Sequence, residues 1–190
     1  MRADECHPAQ PHSYLKLRSQ LPRRDPAGRT ILVGMATPSP LYFDDIQVGQ
    51  RFSGTKTWTV DSEQIRAFAA QFDPQPFHLE ESAGRETVFG GLVASGWHTA
   101  ALTMRLIVEG GPAMAGGTVG LGAELHWHEP VRPGDTLHVR AEVIETTLSR
   151  SRADRGRVVM RTETLNQHGN VVQTCISKVL VPRRPAPPGG

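Results

Sequence analysis

Cysteine is scarce in this chain: only Cys6 and Cys175 occur, far apart, one in a stretch of tail-like composition and one in an apolar strand pattern. That usage gives no disulfide framework and points to a reducing, cytoplasmic setting. An excess of one charge is also missing. The formal net charge is +2 with histidines neutral, and part of it comes from arginines in the two ends. Such a balance leaves no basic face for nucleic acid. Long hydrophobic runs are absent as well, since the most apolar region, Leu92 to Val108, is broken by Ser95, Gly96, His98, Thr99, Thr103 and Arg105. It reads as a buried helix, and no membrane partner is expected. The glycine-rich stretch Gly110 to Gly120 lacks a terminal Gly-Lys-Ser/Thr, so it is read as a mobile connector and not as a phosphate loop. No internal repeat is visible.

What is present is 38% hydrophobic residues, enough for one core. Residues 1–40 are rich in proline, arginine and small polar residues and are expected to form a mobile leader, with Met35 a candidate natural start. A single domain is expected over 41–182, followed by a flexible tail over 183–190. Gln50 to Val60 has strand character. Asp61 or Ser62 caps a helix whose apolar face is Ile65, Phe68, Ala69 and Phe72, and Asp73-Pro74 ends it. A central buried helix is expected over Gly91 to Glu109, stopped by Gly110-Gly111-Pro112. Four strands follow, Val119 to Glu129, Thr136 to Glu145, Arg157 to Leu165 and Val171 to Val181, separated by antiparallel turn signals. The fold class is α+β, a curved antiparallel sheet wrapped around one long helix.

The segment FDPQPFHLEESA, Phe72 to Ala83, places Asp73 five residues before His78 with two prolines between them. Aspartate and histidine suit proton transfer near neutral pH, and the prolines restrict how the pair is presented. On its own the same pattern also fits a helix end, a turn and a surface histidine. The small residues Gly90, Gly91, Ala94, Ser95 and Gly96 let a ligand or another backbone approach closely, or serve tight packing. Trp97 and His98 line a pocket or pack. His126 and His128, two apart on a strand, face one side, but no further ligands at metal spacing accompany them, so no metal site is assigned.

Four blocks decide between these readings: YFDDIQVGQRF (Tyr42 to Phe52), TVDSEQIRAFAAQFDPQPFH (Thr59 to His78), FGGLVASGWHTAAL (Phe89 to Leu102) and LHWHEPVRPGDTL (Leu125 to Leu137). In that order the chain resembles the MaoC-like dehydratases, the (R)-specific enoyl-CoA hydratase group with the hot-dog fold. The resemblance implies reversible hydration of a 2-enoyl-CoA, or dehydration of an (R)-3-hydroxyacyl-CoA. It implies an Asp73/His78 catalytic pair, with Gln75 for the family's usual asparagine, and a helix-start amide at Gly91, where Gly90 replaces the family's histidine. Gly90, Ser95 and Trp97 are assigned to substrate binding. The implied assembly is a homodimer or higher homo-oligomer, and no cofactor is implied beyond the CoA of the substrate. An acyl-CoA thioesterase and a non-catalytic acyl-thioester-binding subunit are the alternatives.

Overall fold

The computed structural model describes residues 39–186. The expected leader and the Met35 start lie outside the described residues, apart from Ser39 and Pro40. A 3-10 turn at Phe43–Asp45 leads into β1 (Arg51–Ser53) and β2 (Trp58–Thr59). Three short helices, α1 (Ser62–Phe72), α2 (Pro76–Leu79) and α3 (Glu81–Arg85), precede the long α4 (Gly96–Gly110). Strands β3 (Val119–Trp127), β4 (Thr136–Leu148), β5 (Arg155–Leu165) and β6 (Val171–Pro182) complete the chain. The sheet is antiparallel in the order β1-β4-β5-β6-β3, with β2 also paired to β4.

One face of this sheet packs on α4. Leu102 and Leu106 of the helix meet Leu137, Val139 and Val172 of the strands, with Val60 and Ile65 closing the cluster. A second cluster, Ile46, Met114, Val143, Val158, Met160, Val179 and Val181, fills the far end of the sheet. The chain adopts the hot-dog arrangement, a helix held in a curved sheet. Period-two alternation in β4 and β5 follows from that geometry, since strands bury one face. The helix expected to be buried all round also buries only one stripe, His98, Thr99, Leu102, Thr103 and Leu106, and leaves Trp97, Met104 and Val108 exposed on the other.

Two boundaries differ from the sequence reading. The strand expected over Gln50 to Val60 is split, because after Gly54 the backbone leaves β4 and Thr55 N–H donates to the Gly110 carbonyl at the end of α4 (3.0 Å). The central helix starts at Gly96, later than the Gly91 start expected from its apolar content. Residues 92–94 spend their amides elsewhere: Leu92 N–H on the Glu81 carboxylate (3.0 Å), Val93 N–H on the Phe77 carbonyl (3.4 Å) and Ala94 N–H on the Val131 carbonyl (2.8 Å). At the other end, Arg183 and Arg184, the first residues of the segment expected to be flexible, are held by Asp44 and Asp45 through charged hydrogen bonds of 2.7 to 2.9 Å. Among the described residues no helix is long and apolar enough to cross a membrane.

The helix-sheet contact gives a direct stability test. Leu106 is 1% exposed between α4 and the sheet, so Leu106→Ala is expected to cost about 2–5 kcal/mol, read as a lower denaturant midpoint. A loss within about half a kcal/mol would show that this contact does not hold the fold together.

Candidate active site

Asp73 is the C-cap of α1, its N–H donating to the Ala69 carbonyl at 2.9 Å. Pro74 cannot continue the helix, and Pro76 opens α2, the single turn that carries His78. The two prolines therefore do different work: one ends a helix and the other starts the next. Between them Gln75 turns its side-chain amide back onto Asp73 Oδ1 (2.8 Å). The departure from the usual asparagine thus still supplies a donor to the aspartate.

His78 is buried, and its Nδ1 lies 2.8 Å from the Val93 carbonyl. A carbonyl only accepts, so Nδ1 carries a proton and donates it there. Nε2 is left facing Asp73 Oδ2 at 3.4 Å. In the neutral ring both of these atoms are acceptors, and a water molecule offering one hydrogen to each would satisfy both.

Ser95 ties this pair to α4. Its hydroxyl donates to Asp73 Oδ2 at 2.6 Å, and the same oxygen accepts from Trp97 N–H at 3.2 Å as the N-cap of the helix. The Ser95 hydrogen bond first, then the Gln75 amide and the charge of His78, hold the Asp73 carboxyl below the ordinary aspartate range, against the opposing effect of partial burial. Asp73 is therefore an anion at neutral pH. The α1 and α4 ends are kept adjacent by Phe68, whose ring stacks on His98 at 4.7 Å and 10°. Burial, opposed by the charge of Asp61, lowers the His98 pKa and favours its neutral form.

The helix-start amide is at a different glycine from the one expected. Gly91 lies in the extended segment before α4, and a β-carbon there would come 3.2 Å from Glu81 Oε1. Its place is against α3, outside the lining of the cavity that holds Asp73 and His78. Gly90 has φ +67° and makes a turn that glycine enters without strain. Neither lines the 420 Å³ cavity that contains Asp73 and His78. Gly96 does line it, as the first residue of α4, and its N–H has no hydrogen-bond partner among the described residues. The signal for this was in the sequence: serine is a strongly preferred N-cap residue, and Ser95 sits directly before the periodic segment.

Trp97 borders the cavity and is 59% exposed, so it does not pack in the core. It meets Trp127 edge to face at 5.6 Å. Trp127, not singled out from the sequence as a site residue, covers Gly96: a β-carbon at position 96 would come 2.6 Å from the indole Cε2. Ser95 is 1% exposed and acts on Asp73 and the helix, so it positions the site where direct substrate contact was expected. His126 and His128 each have their own neighbour, Glu124 and Thr174 respectively, at 2.8 and 2.9 Å.

The lowered Asp73 pKa sets a sign for stability. A carboxyl depressed in the folded state contributes stability that is complete above its unfolded pKa of about 3.9 and is lost as pH falls through the lower folded value. Ser95→Ala removes the largest cause of the depression. Its melting temperature should therefore lie several degrees below wild type at neutral pH, with a narrower gap near about pH 2.5. A gap independent of pH would show that Ser95 stabilises only as a helix cap.

Comparison with known proteins agrees with this geometry. A crystal structure of a MaoC-like dehydratase from Rhodospirillum rubrum superposes with a TM-score of 0.74 at 53% identity, covering 77% of this chain and 99% of that one. The unliganded (R)-hydratase PhaJ1 from Pseudomonas aeruginosa superposes with a TM-score of 0.59 at 28% identity, over 80% of this chain and 96% of the other. A 3-hydroxybutyryl-CoA dehydratase of Methylorubrum extorquens is 35% identical over 60% of this chain and 70% of its own length. Residues 45–166 match the family described as MaoC like domain, and the chain belongs to that family.

Proposed function

We propose that the protein is a hydro-lyase that adds water reversibly across the double bond of a 2-enoyl thioester, with CoA as the carrier. The observation that carries this reading is the joint position of three groups on one cavity: the Asp73 carboxylate, the free Nε2 of His78 and the unpaired N–H of Gly96. The relatives named as (R)-hydratase and 3-hydroxybutyryl-CoA dehydratase support it.

Each group has a distinct task. The thioester oxygen accepts the Gly96 N–H, at the positive end of a fifteen-residue helix, which stabilises the negative charge that develops as the β-carbon is attacked. Asp73 and His78 hold the water. His78 Nε2 takes one water proton as the oxygen bonds to the β-carbon, and the imidazolium so formed lies beside the Asp73 anion. The proton then passes to the α-carbon, closing the balance: one water is consumed, the double bond is lost and the histidine is neutral again. Asp73, held below its usual pKa, is a poor proton donor, so the histidine carries the proton and the aspartate orients and compensates charge.

Acid–base chemistry of this kind requires no metal or further cofactor. Asp73 and His78 are adjacent on the cavity, so water and proton add to the same face, and the family resemblance implies the (R)-3-hydroxyacyl thioester as the product. A cytoplasmic setting and a homodimer complete the reading. Strand β3 ends the sheet with an unpaired edge among the described residues and leaves Val119 and Leu121 exposed, which a second copy would cover.

Asp73→Asn and His78→Ala are each expected to lower kcat by about a hundredfold or more with a smaller effect on KM, followed as loss of enoyl absorbance on crotonyl-CoA. Wild-type turnover in either variant, predominantly (S) product, or release of free thiol in place of hydration would each remove this mechanism. Sedimentation at micromolar protein should show a dimer or larger species; a monomer alone would exclude the assembly.

A further inference from the structure

The catalytic cavity is not the only space beside α4. A second cavity of 370 Å³ is lined by Met104 and Ile107 of the helix and by Val139, Met160, Cys175 and Val179 of the sheet. The two share no lining residue. They nevertheless follow one another along the same elements. On α4, Gly96 and Thr99 border the catalytic cavity and Ile107 borders the apolar one, with Thr103 between them at helical spacing. On the sheet, Thr162 pairs with Cys175 in the apolar cavity, and the next pair on that face is Thr164 with Gln173, beside Trp127.

Thr103, Thr164 and Gln173 line neither cavity, and by helix spacing and strand register they fall between the two as a buried hydrogen-bonded network. Trp127 Nε1–H donates to Gln173 Oε1 (2.9 Å), and Gln173 Nε2–H donates to Thr103 Oγ1 (3.0 Å). The Thr103 hydroxyl donates to the Thr99 carbonyl (2.8 Å), which leaves Thr164 as the donor in the 2.6 Å contact between the two hydroxyls. Both lone pairs of Thr103 are thereby used, and Gln173 and Thr164 are fully enclosed. A network satisfied in this way resists an apolar intruder, because a chain pushed between its members breaks hydrogen bonds and offers none in return.

We propose that this network is a wall that sets substrate length: the catalytic cavity ends at Thr99, Trp127 and the Thr103–Thr164–Gln173 network, so the protein takes thioesters of short acyl chains, and the apolar cavity beyond becomes acyl space only when the wall is opened. The proposal rests on the acyl-thioester reading above and adds to it the class of acyl group. It assigns specificity to three residues that touch neither Asp73 nor His78.

Calorimetric binding of saturated acyl-CoAs tests it without depending on turnover. Wild type should bind dodecanoyl-CoA about tenfold or more weakly than butyryl-CoA, from the cost of unpairing buried polar groups. In Gln173→Ala the dodecanoyl-to-butyryl affinity ratio should rise by about tenfold. Should that variant lose its cooperative melt, Thr103→Ala opens the wall from the helix side with a smaller loss of volume, and a rise in the same direction is expected. Equal affinity for both ligands in wild type, or an unchanged ratio in a folded variant, overturns the wall. No binding of either ligand sinks the acyl-thioester reading and the wall with it. The expected ratios in a protein that fails to hydrate crotonyl-CoA would sink the hydration reading and leave the wall standing.

Discussion

The Ser95 hydroxyl makes two hydrogen bonds with opposite roles, donating to the Asp73 carboxylate and accepting from the first turn of α4. Through it, the end of one helix and the start of another are fixed to each other within a few ångströms. The first bond lowers the Asp73 pKa, and the second caps α4. The placement of the Gly96 N–H relative to Asp73 and His78 follows from both. If the hydroxyl is lost, Asp73 loses the largest influence lowering its pKa and α4 loses its cap together, so the Asp73 carboxylate and the start of α4 are coupled through one oxygen atom.

The surroundings of that serine are arranged to keep it from moving. His78 is anchored to the Val93 carbonyl, two residues before Ser95, so the ring and the serine are carried by the same extended segment. That segment is held in turn by Glu81, Phe77 and Val131, drawn from α3, α2 and the loop before β4. The placement of His78 and Ser95 rests on backbone hydrogen bonds between short elements, while the central hydrophobic cluster supports α4 through Leu102 and Leu106. The Phe68–His98 stack bridges the two regions.

Much of the fold was legible because its signals are periodic. The α1 boundaries followed from Asp61 and Asp73-Pro74, and β3 to β6 followed from alternation and turn residues to within a few positions. The start of α4 was not legible from hydrophobicity, since residues 91–95 are as apolar and small as a buried helix turn. The amides of residues 92–94 are claimed by partners distant in sequence, and the N-cap serine, Ser95, marks the true boundary. The same reading put the helix-start amide at Gly91, whereas the helix starts at Gly96. The Asp73/His78 spacing was visible locally but ambiguous by itself, and it was the order of the four sequence blocks that singled the pair out; the structure brings the two side chains together. Trp127 and Gln173 were not, because their roles arise from cross-strand register, which pairs residues 46 positions apart.

Asp73, His78, Ser95 and Gly96 all come from a single continuous run of the chain, whereas Trp127 to Val131, which line the same cavity as Asp73, His78 and Gly96, enter later. A substitution in that later stretch therefore reshapes the cavity while leaving untouched the sequence that carries the Asp73–Ser95 contact and the start of α4.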